Sequence, residues 1–120
     1  MKGFYADLER DTLENDNFRK VIFTGPKSQL VLMSLLPLQE IGNEVHEEHD
    51  QFIRIEEGVG KATIGEDVFN LKDGSAIVIP AGAWHNITNT SEHDPMKLYT
   101  LYAPPQHPEG TVQKEKPIND

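Results

Sequence analysis

Residues 74–89 read GSAIVIPAGAWHNITN, from Gly74 to Asn89, and this stretch decides the fold. Ala76 to Ile79 is a short β-branched run of the kind that forms a strand. Pro80-Ala-Gly82 follows as a turn, with a glycine free to take positive φ. His85 then opens a second strand that continues through Ile87 and Thr88 to Asn89. One histidine is thereby placed at the mouth of a β-turn, where its side chain is available for chemistry.

The rest of the chain has the same texture of short strands punctuated by glycine, proline and asparagine. Phe18 to Phe23 alternates weakly, and Thr24-Gly-Pro26 turns the chain into Gln29 to Leu36, an apolar run typical of a buried strand that Pro37 ends. Glu40 to His46 and Gln51 to Glu57 read as two more strands, separated by the charged stretch from Glu47 to Asp50. Gly58-Val-Gly60 makes a tight corner. Lys61 to Ile64 and Val68 to Leu71 form a hairpin across Gly65-Glu-Asp67, Lys72-Asp-Gly74 turns again, and Met96 to Tyr102 closes the set. Strands at this spacing predict an all-β barrel or sandwich, with a jelly roll as the specific candidate. Asp7 to Glu14 reads as a helical turn. Pro104 to Asp120, with four prolines and alternating charges, reads as an irregular tail.

A chain of 120 residues suits one domain, 1–120, with its own core. Its 20 acidic and 11 basic side chains give a net charge of −9, which opposes binding to nucleic acid or to anionic membranes. Cysteine is absent, which removes disulfides and thiol catalysis. The start, MKGFYADLERD, has no apolar run, and no stretch approaches the roughly 20 apolar residues of a membrane span. A soluble cytoplasmic protein is the expectation.

Gly74, Pro80, Gly82, His85 and Asn89 match, without a gap, the pattern G-x5-P-x-G-x2-H-x3-N, which resembles the second conserved motif of the cupin superfamily. The resemblance implies a double-stranded β-helix, the jelly-roll cupin barrel, over about residues 30–105. The first motif of that family reads G-x5-H-x-H-x3 or 4-E-x6-G. Counted back from Gly58, its carboxylate position holds Gln51, its second histidine is His46, and its first histidine position holds Glu44. The pattern is departed from at two of these three positions. In a strand, side chains at i and i+2 share a face, so Glu44 and His46 both point into the barrel. Gln51 starts the return strand, and His85 comes from a third. The metal-ligand set is therefore Glu44, His46, Gln51 and His85. Two imidazoles, one carboxylate and one amide oxygen suit a divalent ion, with zinc, iron, manganese and nickel all chemically acceptable. Glu44 has a second role open to it, as the catalytic base, if it is not itself a ligand.

Other residues carry less. His49, in HEEH, is one residue short of the HExxH zinc pattern and is expected in solvent on a loop. His93 and His107 carry no pattern. If Gln51 points inward, Ile53 and Ile55 follow it, while Phe52 and Arg54 face away. On the closing strand either Leu98, Thr100 and Tyr102 or Tyr99 and Leu101 line the cavity. Met33, Trp84, Tyr99 and Tyr102 are candidate pocket walls, and Asn89 reads as a hydrogen-bonding residue rather than a catalyst.

The run from Leu98 to Pro105 and then His107 to Thr111 resembles small single-domain cupins often labelled mannose-6-phosphate isomerase-like, in the wider RmlC-like class. That resemblance implies a metal in the barrel mouth, a small-molecule substrate and a homodimer. Three functions stay open: a metal-dependent isomerase-like enzyme acting on a small polar or sugar-type metabolite, an iron-dependent dioxygenase, and a small-molecule-binding cupin without catalysis. No Gly-rich phosphate loop and no inward cluster of lysine or arginine is evident. At this length no attached DNA-binding domain of the cupin transcription factors is expected.

Overall fold

The computed structural model describes residues 1–118, and the fold is an all-β jelly-roll barrel. Helix α1 (Leu8–Glu14) precedes strands β1 (Arg19–Thr24), β2 (Gln29–Leu35), β3 (Asp50–Glu57), β4 (Gly60–Ile64), β5 (Asp67–Leu71), β6 (Ala76–Ile79), β7 (His85–Asn89), β8 (Met96–Ala103) and β9 (Val112–Gln113). They form a six-stranded sheet in the order β6-β3-β8-β2-β1-β9, faced by a three-stranded sheet in the order β5-β4-β7. The pairings are antiparallel, with Gln51 opposite Ile79 and Tyr102, and Ile87 opposite Ala62.

Period-two alternation decides which side chains enter the barrel. Along β3, Gln51, Ile53 and Ile55 are buried while Phe52, Arg54 and Glu56 are only half-buried. Along β8 it is Leu98, Thr100 and Tyr102 that turn inward, the first of the two expected alternatives. These meet Val31 and Met33 from β2 and Ala62 and Ile87 from the small sheet, forming one apolar core between the sheets. Among the described residues, no helix is long and apolar enough to cross a membrane.

Two expectations need correction. Glu40 to His46 is not a strand: only isolated bridges, Glu40 with Thr88 and Glu44 with His85, tie it to β7. Gly42 takes φ 115°, and its N–H donates to the Asn86 side chain, so the ladder is interrupted between the two bridges. The segment after Pro104 is not wholly irregular, because β9 pairs with β1 at Arg19 and Lys20. Its last two residues, 119 and 120, lie outside the described residues. Gln29 fixes the path of that segment: its amide donates to Thr24 Oγ1 and the His107 carbonyl, and its Oε1 accepts from the N–H groups of Gln106 and His107.

Candidate metal centre

The site forms where β7 of the small sheet faces β3 and β8 of the large one. Pro80 and Gly82 set its entrance. Gly82, at φ 88°, donates its N–H to the His46 carbonyl at 2.9 Å. Glu44 and His85 exchange both backbone hydrogen bonds, each 2.9 Å, so their side chains leave the pair on one face. His46 follows two residues later, its carbonyl held by the Gly82 N–H.

These three side chains converge. One ligand atom each from Glu44, His46 and His85 lies within 4.8 Å of the others, and Glu44 Oε1 is 3.8 Å from His46 Nε2. The two imidazole centroids are 5.2 Å apart. His85 Nδ1 donates to the Ala83 carbonyl at 2.9 Å; a carbonyl can only accept, so Nδ1 carries the proton and Nε2 keeps its lone pair. A backbone partner on one ring nitrogen is how proteins aim the other at a metal.

The decisive test of fit lies in what is left without a hydrogen bond. His46 Nε2, His85 Nε2 and Gln51 Oε1 are each buried with no hydrogen-bond partner. Burying one such acceptor costs about 1–3 kcal/mol, and the two imidazole nitrogens converge with the Glu44 carboxylate, so these call for a common partner. Two imidazole nitrogens and a carboxylate are ligands that zinc, iron, manganese and nickel all accept, and the three residues fit a divalent ion.

Burial pushes the His46 imidazole below the ordinary histidine pKa of 6.5, and electrostatic interaction with His85, His49 and Arg19 acts in the same direction. His46 is therefore held neutral and ligand-competent. A nuclear magnetic resonance titration of the metal-free protein should find its midpoint below 6.5; a midpoint at or above that value would contradict this electrostatic account. Since the unfolded chain takes up the proton first, this histidine also removes stability as pH falls below about 6.5, and has no such effect above it.

Around these groups the structure departs from sequence expectation at several residues. His49 is half-buried, not in solvent: its Nδ1 donates to the Pro104 carbonyl at 2.6 Å and its ring lies edge-on to His46, centroids 6.1 Å apart. Trp84 is 54% exposed and is no pocket wall, because His85 and Ile87 take the inward phase of β7 and residue 84 falls on the other. Tyr99 likewise turns outward, against Phe52, and Met33 is core. Tyr102 is buried between His46 and His107, edge-on to both rings at 5.8 and 5.3 Å. Arg19 is a buried inward arginine that sequence reading missed; its signal was the inward phase it shares with Val21 on β1. Asn89 is structural: its Nδ2 contacts the carbonyls of Leu35, Leu36 and Asp94, and its Oδ1 accepts from Ser91 N–H.

A family model described as "Cupin domain" matches residues 31–102. The uncharacterized protein YrkC of Bacillus subtilis is 46% identical over 121 aligned residues, covering 96% of this chain and 64% of its own length. The chain thus spans just under two thirds of that relative. The crystal structure of BH2720 from Bacillus halodurans superposes with a TM-score of 0.93 at 43% identity, covering 96% of this chain and 91% of that one. That of TT1209 from Thermus thermophilus gives 0.73 at 32% identity, covering 83% and 96%.

Proposed function

The chain belongs to the cupin family, and from that premise we propose that it holds a divalent metal ion with Glu44, His46, His85 and the Gln51 amide oxygen and presents it to a small oxygen-bearing metabolite. The observation that carries this reading is the convergence of Glu44, His46 and His85 on one point, with both imidazole Nε2 atoms buried and lacking hydrogen-bond partners. When bound, such an ion supplies Lewis acidity toward a carbonyl or hydroxyl oxygen.

Isomerisation of a polar or sugar-type substrate is the preferred chemistry. Glu44 is half-buried, and in the alternative in which His46, His85 and Gln51 hold the ion without it, its carboxylate is the base that takes a proton from one carbon and returns it to the next. A second reading, an iron-dependent dioxygenase, draws on the composition of the cluster, two histidines and one carboxylate, which is the ligand set of open iron sites. With a net charge of −9, a small molecule is the partner and nucleic acid and anionic membranes are not. The absence of cysteine fits a reducing, cytoplasmic compartment.

Elemental analysis of protein purified without tag or chelator tests the reading. About one equivalent of zinc or manganese directs assays to aldose–ketose isomerisation, and iron to oxygen uptake. No metal, even after reconstitution with iron, manganese, nickel and zinc, would overturn it and leave a ligand-binding barrel.

The same reading includes a homodimer. Val78, Phe52, Leu101 and Leu30 lie in cross-strand register on the outer face of the large sheet, and Phe23 extends the row beside Leu30, with Phe4 stacked on it at 5.2 Å. Val78 is 65% and Leu101 37% exposed. In so acidic a chain, a row without carboxylates is where a second copy can approach against the least repulsion. Light scattering should give twice 13.5 kDa at micromolar concentration, and Leu101→Glu should return the monomer. A wild-type monomer would refute the pairing.

A further inference from the structure

We propose that Thr100 is a positioning residue for the metal centre, holding the Gln51 amide so that its oxygen, not its nitrogen, faces the ion. The inference rests on the metal-binding reading above and extends it to β8. Gln51 is 3% exposed and Thr100 is fully buried, and Gln51 Nε2 donates to Thr100 Oγ1 at 3.0 Å. Thr100 lies opposite Ile53 and Gln51 opposite Tyr102, so residues 51 and 100 are diagonal neighbours on the inward face of the β3–β8 pair. Gln51 Oε1 is then the end of the amide left buried and without a hydrogen bond.

A carboxylate presents an oxygen whichever way it turns, but an amide does not. Rotated by half a turn, Gln51 would aim two N–H donors at the cation and its oxygen at β8. The hydroxyl of Thr100 gives the NH2 group an acceptor on the far side, so that the oxygen can face the site without leaving the nitrogen buried and unpaired. Among the described residues, Thr100 Oγ1 is the acceptor that Gln51 Nε2 meets. Thr100 thereby acts as an outer-shell partner, a class of residue whose loss costs about 10- to 100-fold in metal affinity.

Calorimetric titration with Co2+ alone tests this on the full chain. Thr100→Val, which keeps shape and removes the acceptor, should weaken binding about 10- to 100-fold, while Thr100→Ser should restore it to within about threefold of wild type. In a Gln51→Ala background, Thr100→Val should cause no further loss, an outcome that a purely structural role would not produce. Should the valine variant fail to fold, Thr100→Ala removes the same acceptor. Wild-type affinity in Thr100→Val, or an equal loss with and without Gln51, overturns the inference while leaving the metal centre intact if His46→Ala still abolishes binding. No Co2+ binding by the wild type overturns both.

Discussion

Replacing His46 and His85 together with alanine should abolish metal retention, taking the ion content from about one per chain to below detection, whereas His49→Ala should keep it. The two imidazoles supply both nitrogen ligands of the cluster, and each has its Nε2 buried without a hydrogen bond. Without them only the Glu44 carboxylate and the Gln51 amide remain, a pair of oxygen donors that suits hard, weakly bound ions rather than zinc, iron or nickel. Each single substitution should cost more than the roughly 100-fold attached to losing an outer-shell partner. His49 is the informative control because it is close enough to touch the His46 ring. Its Nδ1 is committed to the Pro104 carbonyl, and it lies outside the set whose ligand atoms converge. If His49→Ala loses the ion as completely as His46→Ala, the ligand assignment around Glu44 is wrong and His49 belongs in it. Thermal unfolding of the metal-free variants should separate loss of a ligand from loss of fold.

The barrel was legible because its signals are local. A glycine at φ 88° after Pro80, a β-branched run before it and a histidine opening the next strand are all features of adjacent residues. The inward phase of β3 followed from one choice at Gln51, since a period of two leaves no other freedom. What escaped was set by contacts between distant segments. Residues 40–46 looked like a strand because they alternate, but Gly42 spends its N–H on Asn86, 44 positions away. His49 looked solvent-exposed because nothing nearby in sequence covers it, and the cover comes from Pro104. Arg19 and Thr100 point inward from strands whose facing could be assigned only once β1, β2, β3 and β8 were in register. The residue types at positions 44 and 51 were plain from sequence, whereas the partner of the Gln51 amide is a hydroxyl 49 residues on.

Gly60→Ala should be severely destabilising for a single added methyl. A Cβ at residue 60 would lie 2.3 Å from both the Thr88 carbonyl oxygen and Met96 Cε, against the roughly 3.5 Å of an ordinary contact. Met96 is a flexible side chain, but it is fully buried and has nowhere to move. Thr88 O is worse, being backbone in β7, which pairs with β4 at Gly60 opposite Asn89. Opening that spacing by about 1 Å would pull on Asn89, whose amide holds the carbonyls of Leu35, Leu36 and Asp94 together. A loss of about 3 kcal/mol or more follows, at the upper end of overpacking effects and about 10 °C or more in melting temperature for a domain of this size. Gly65→Ala is the matched control: at φ 59° the new side chain is conformationally strained but meets nothing within 4 Å, so about 1 kcal/mol is expected. Equal melting temperatures for the two variants would mean that β7 can shift away from β4 at little cost. That strand begins with His85, so such freedom would also mean that the ligand geometry is held by the bridge to Glu44 rather than by the sheet.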